Sequence, residues 1–108
     1  MLKIVPTPEF IKQVKKLAKS YKKIPDDLES LKTQLVQNPR AGTDLGNNCF
    51  KIRLKNSSIP VGKSGGFRVV TYYIDRDNTI RLLLIYTKTQ KDNITDKELS
   101  EVLNNNNL

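Results

Sequence analysis

The apolar positions of this chain change period partway along it. Between residues 8 and 21 they recur at intervals of three and four, as Phe10, Ile11, Val14, Leu17, Ala18 and Tyr21. That is the stripe of an amphipathic helix. Thr7-Pro8-Glu9 precedes it with a capping hydroxyl, a first-turn proline and an acid at the positive helix end. A second helix begins near Pro25-Asp26-Asp27 and carries Leu28, Leu31, Leu35 and Val36. It stops at Asn38-Pro39, because the residue before proline avoids helical geometry. The short link at 22–24 makes the two helices an antiparallel hairpin. Residues 40–48, "RAGTDLGNN", read as a polar, turn-rich loop.

From Phe50 the period becomes two. Phe50, Ile52 and Leu54 alternate with Lys51, Arg53 and Lys55, which predicts a strand with one buried and one wholly cationic face. "FRVVTYYI" (67–74) and "IRLLLIYTK" (80–88) are β-branched, aromatic and almost continuously apolar, as central strands covered on both sides would be. "DRDN" at 75–78 joins them as a tight hairpin, and residues 56–66 link the cationic strand to the first of them. A short opening strand fits residues 2–5. Thr95-Asp96-Lys97-Glu98 is a capping box with Ile94 and Leu99 as its hydrophobic staple, so a third helix should run to about Leu103. The order β-α-α-β-β-β-α describes one α+β domain over residues 1–103. Its expected form is a small twisted antiparallel sheet with two N-terminal helices and a short C-terminal helix. An Asn-rich tail, 104–108, is expected to be flexible.

Composition narrows the chemistry. The 108 residues contain no histidine and a single cysteine, Cys49. Serine and cysteine triads that use imidazole are therefore excluded, as are cysteine-based metal sites and an intramolecular disulfide. Cys49 reads as a small hydrophobe. The start of the chain lacks a signal-peptide core and no apolar run is long enough for a membrane span, so a soluble, cytoplasmic protein with no membrane partner is expected.

The net charge of +8 is unevenly placed. Residues 1–48 carry +9 and −5, residues 49–91 carry +9 and −2, and residues 92–108 carry +1 and −4. No acid occurs from residue 45 to residue 74. A block this basic suggests a polyanionic partner, most simply nucleic acid. Cations two apart on a strand lie roughly 7 Å apart, close to the phosphate spacing of a single strand. Asp75 and Asp77 flank a turn and are read as shaping it rather than holding a metal. No metal or cofactor is expected.

"PVGKSGGFR" at 60–68 ends like a nucleotide-binding loop. The pattern G-x-x-x-x-G-K-[ST] needs a glycine at position 57, however, and Ser57 stands there. The glycines instead suit a turn, a bulge or a close backbone approach ahead of Arg68, with Lys63 beside it.

With the "FKIRLK" strand, "SGGFRVVTYYID" and "LLIYTKTQKDNITDKEL" in this order, nearly the whole chain resembles the RelE/ParE superfamily of bacterial toxin–antitoxin toxins. It is most similar to the RelE- and HigB-type messenger-RNA interferases. The resemblance implies a metal-independent endoribonuclease that cleaves mRNA in the ribosomal A site through attack of the 2′-hydroxyl on the adjacent phosphate. A cognate antitoxin, which can carry a DNA-binding domain, would block the site. It also assigns Lys51, Arg53 and Arg68 to the family's basic positions on the second and third strands, and Lys88 to a basic position after the last. Where RelE places an arginine and a catalytic tyrosine, this chain has Thr89 and Thr95, so Tyr86 and Lys88 become the candidates for those functions. Arg68, Tyr86 and Lys88 form the expected catalytic set, with one of the last two depressed in pKa by its cationic setting. Lys51, Arg53, Lys55, Lys63 and Lys91 form the expected RNA-binding set. Two other readings stay open: a ParE-like gyrase inhibitor without nuclease activity, and a non-catalytic RNA-binding module. The apolar and basic surface of the first two helices is a candidate antitoxin face.

Overall fold

The computed structural model describes residues 2–60, 65–91 and 93–108. In chain order the elements are β1 (Lys3–Pro6), α1 (Pro8–Ala18), α2 (Ile24–Gln37), β2 (Thr43–Gly46), β3 (Cys49–Leu54), β4 (Phe67–Ile74), β5 (Thr79–Thr87) and α3 (Asp96–Asn105). A single 3₁₀ turn, Asp75–Asp77, joins β4 to β5, with Asn78 in the left-handed region at its end. The strands form one sheet in the order β1-β5-β4-β3-β2. β4 and β5 are interior, as their unbroken apolar character predicts.

The α+β class holds, with two differences of detail. The sheet is mixed: β1 pairs parallel to β5, from Lys3–Thr79 to Pro6–Leu82, while every other pairing is antiparallel. In addition, the segment expected to be a loop contains β2, which pairs with β3. "TDLG" has one apolar residue and no alternation to betray a strand. Its turn signals belong to the β2–β3 hairpin, where Gly46, Asn47 and Asn48 take φ of 82°, 53° and 64°.

Two layers cover the sheet. Phe10, Leu17, Ile24, Leu31 and Leu35 of α1 and α2 pack on Phe50, Ile52, Leu54, Phe67 and Val69. Leu99 and Leu103 of α3 pack on the other face, against Val70, Tyr72, Leu84 and Tyr86. Thr7 caps α1 by accepting from the Phe10 N–H at 3.3 Å. Thr95 and Glu98 form the capping box of α3. Tyr21 lies past the end of α1 and packs edge-on against Phe67, with ring centres 5.6 Å apart. Ile11 and Val36 depart from their stripes: both are exposed, because they sit on the rim of an apolar arc wider than the sheet contact. α3 runs two residues past Leu103. Beyond it the Leu108 N–H donates to the Leu103 carbonyl and Asn106 Nδ2 to that of Val102.

One irregularity positions the site. Val70 pairs with Leu84 but Thr71 pairs with Leu82, so Leu83 is an extra residue on β5. Before this bulge Ile80 and Leu82 face α1 and α2; after it Ile85 does, while Leu84 and Tyr86 face α3. The Thr7 hydroxyl sits against the bulge, within 3.0 Å of the Leu82 carbonyl and 3.3 Å of the Leu83 carbonyl.

Candidate functional site

Residues directly opposite in an antiparallel ladder share a face, with Cβ atoms about 5 Å apart. Arg53 pairs with Arg68, and Arg68 with Tyr86. The three side chains therefore form one row across β3, β4 and β5, on the face that α3 only partly covers. Lys51 extends the row along β3, opposite Val70. The alternation expected of the cationic strand is present: Ile52 and Leu54 are buried, Lys51 is half-buried and Arg53 is exposed.

Within the row, exposure falls from Arg53 to Arg68 and Tyr86, each of which is 5 % exposed. Two arginines directly opposite one another repel. Among the described residues no carboxylate lies within ion-pair distance of Lys51 or Arg53. Arg68 Nη1 donates to the Gly66 carbonyl at 3.1 Å, which directs the guanidinium. Gly66 itself is required by a close backbone approach, since a methyl there would lie 2.2 Å from the Leu54 carbonyl oxygen.

Tyr86 is unusual. Its phenol oxygen is buried and has no hydrogen-bond partner among the described residues. Burial pushes its pKa up, and the nearby Arg68 opposes this only in part. The expected depression by a cationic setting is corrected for Tyr86, because desolvation outweighs the charge. At neutral pH this group is an O–H donor, not a base.

The other candidates are placed less centrally. Lys55 is exposed just past the end of β3. Lys88 is exposed in the turn after β5, so the alternation that would align it with Tyr86 ends at Thr87. Lys91 is ion-paired with Glu98, whose other oxygen accepts from the Thr95 N–H. Lys63 lies outside the described residues. Thr89 is drawn back onto the strand end, its hydroxyl 3.0 Å from that of Thr87. No local pattern marks Asn93, whose Oδ1 accepts from Lys51 Nζ at 3.2 Å across 42 positions of chain. Cys49 is buried and its thiol is pushed up to about 11, chiefly by burial. No group of three or more metal-ligating side chains is clustered among the described residues.

A family model described as the RelE toxin of the RelE / RelB toxin–antitoxin system matches residues 10–106. The chain belongs to the RelE toxin family. It is a toxin of the toxin–antitoxin class.

Solved structures agree on the RelE fold. An arginine-to-alanine double mutant of E. coli toxin RelE in the free state superposes with a TM-score of 0.63 at 19 % identity, covering 96 % of each chain. The intact E. coli RelBE toxin–antitoxin complex matches with a TM-score of 0.59 at 20 % identity, over 81 % of this chain and 96 % of the other. Isolated E. coli RelE matches with a TM-score of 0.59 at 18 % identity, over 97 % and 98 %. A search of curated protein sequences found no match. Among the described residues no helix is long and apolar enough to cross a membrane.

Proposed function

We propose that this toxin is an endoribonuclease that cleaves mRNA on the ribosome by a route needing no metal, with the row Arg53–Arg68–Tyr86 as its reactive face. The observation that carries the reading is the pairing of a buried arginine with a buried phenol that has no hydrogen-bond partner among the described residues, at one end of a cationic strand face. Lys51 and Arg53 hold flanking phosphates. The substrate 2′-hydroxyl attacks the adjacent phosphorus, and the P–O5′ bond breaks as the 2′-O–P bond forms. The products are a 2′,3′-cyclic phosphate and a 5′-hydroxyl. Arg68 stabilises the charge that gathers on the phosphoryl oxygens. Tyr86, kept protonated by burial, donates its proton to the departing 5′-oxygen. Lys88, in the turn after β5, is the candidate cation for the charge that develops on the attacking 2′-oxygen, whose proton passes to solvent. Lys55, and Lys63 in the β3–β4 connection, add to the charge that attracts RNA.

A cognate antitoxin is the second partner. The family model's description and the solved E. coli RelBE complex support it. The surface of α1 and α2, where exposed Ile11 and Val36 lie among lysines, is the proposed docking face.

The test is induced expression with mapping of mRNA 5′ ends, run beside a DNA supercoiling assay. New ends that appear with the parent chain and vanish with Arg68→Ala, while antitoxin binding persists, are the expected result. Intact transcripts with inhibited gyrase would replace this reading with that of a gyrase-directed toxin. Intact transcripts and unaffected gyrase, with RNA still bound, would leave a binding module.

A further inference from the structure

The connection from β3 to β4, residues 55–66, is the longest in the chain, and Arg68 stands two residues beyond it. Its outgoing side is tied to the start of α2 by an acid that the reaction does not use. Asp27 is 3 % exposed and is the only buried carboxylate among the described residues. It accepts from the Ser57 N–H at 2.9 Å and from Ser57 Oγ at 2.5 Å. Next to it, Ser58 Oγ accepts from the Lys23 N–H at 2.9 Å, and Asn56 Oδ1 accepts from the Ser58 N–H at 3.0 Å. The returning side closes against the same backbone. A methyl on Gly66 would lie 2.2 Å from the Leu54 carbonyl oxygen and 3.2 Å from the Asn56 nitrogen. Gly66 then presents its carbonyl to Arg68 Nη1.

A buried carboxylate held by a serine rather than a cation is costly to desolvate, and an apolar side chain would serve the packing of α2 as well. What Asp27 supplies is a fixed neck. A long connection is otherwise free to splay where it leaves and re-enters the sheet. We infer that Asp27 is a positioning residue for Arg68: by holding Ser57 it fixes the neck on which Gly66 rests, and so the direction of the guanidinium. This rests on the reading of Arg68 as the group that stabilises phosphoryl charge.

Ser57→Ala removes the Oγ bond and keeps the backbone one; Asp27→Ala removes the acceptor of both. Each is made in the full-length parent and in Arg68→Lys, and cleavage of a defined mRNA on programmed ribosomes is followed at saturating and sub-saturating toxin, with thermal melting alongside. Folded Ser57→Ala should lose about tenfold in saturating rate with little change in half-saturation. In Arg68→Lys the same change should cost less than about twofold, because the positioned fork is already gone. An unchanged saturating rate in Ser57→Ala, or an equal loss in both backgrounds, overturns the inference. So does a folded Asp27→Ala that cleaves at the parent rate. Arg68→Lys cleaving as fast as the parent would instead remove Arg68 from the reaction, and the inference with it.

Discussion

Arg68 stands directly across the β4–β5 ladder from Tyr86, and one extra residue, Leu83, puts it there. Side chains alternate along a strand, so an added residue carries every later side chain to the opposite face. Without the bulge, Ile85 would face α3 and Tyr86 would lie in the core beneath α1 and α2. With it, a phenol takes its place beside a buried guanidinium. The Thr7 hydroxyl, which reaches the carbonyls of Leu82 and Leu83, ties that change of phase to the start of α1.

Tyr86→Phe should separate stability from activity. The phenol oxygen is buried without a partner among the described residues, and a buried unsatisfied hydroxyl costs about 1 kcal/mol or more. Removing it should leave unfolding free energy equal to the parent's or raise it by about 1 kcal/mol in urea titration. Cleavage of mRNA on ribosomes should fall about a hundredfold, the usual scale for losing a positioned proton donor. A variant that is as active as the parent would take Tyr86 out of the reaction.

Thr7→Val keeps the shape of the side chain but loses both its acceptor and its donor. The Phe10 N–H loses its cap, and the bulge carbonyls lose their hydroxyl. The expected cost is about 1 kcal/mol in unfolding free energy, with Thr7→Ser close to the parent. If only the cap mattered, Thr7→Asn, another good capping residue, would restore cleavage as fully as Thr7→Ser. The position against the bulge predicts that it restores stability but not rate.

Much of this architecture is legible in the residue pattern, and what is hidden is hidden for a physical reason. The alternation in "FKIRLK" exposes Lys51 and Arg53 because one face of β3 is apolar and the other cationic. Gly66 announces a close approach ahead of Arg68, and Thr95 and Glu98 announce α3. The face taken by Tyr86 is not legible, because "IRLLLIYT" is apolar on both sides and a register shift leaves no trace in it. β2 is hidden for the opposite reason: "TDLG" is too polar to alternate and becomes a strand only by pairing with β3. The contacts of Asn93 with Lys51 and of Asp27 with Ser57 join positions 42 and 30 residues apart. Local pattern carries no information about either.

Gly66→Ala tests the mouth of the β3–β4 hairpin. The added methyl would meet the Leu54 carbonyl at 2.2 Å, a backbone atom that cannot swing aside. The strand end must shift, at a cost of about 2 kcal/mol in unfolding free energy. The Gly66 carbonyl moves with it, and with that carbonyl goes the acceptor of Arg68 Nη1. Cleavage should therefore fall further than the unfolded fraction explains, measured as rate per folded molecule after correction from the denaturation curve. Equal activity per folded molecule would show that Arg68 does not depend on this carbonyl.

Alkali should unfold the protein through its buried acids. The Cys49 thiol is raised from an ordinary value of 9.0 to about 11, first by burial and then by the charge of Asp44. Tyr86 is raised by burial against the opposing effect of Arg68. For a group raised in the folded state, the unfolded chain gives up its proton first. The contribution of Cys49 to stability is then complete below pH 9 and is lost as pH climbs towards 11. Unfolding free energy should decline across that window in the parent, and more gently in Cys49→Ala, where Tyr73 and Tyr86 keep their raised values. A parent curve that stays flat between pH 9 and 11, or one that Cys49→Ala reproduces without change of slope, would show that the thiol ionises without opposing the fold.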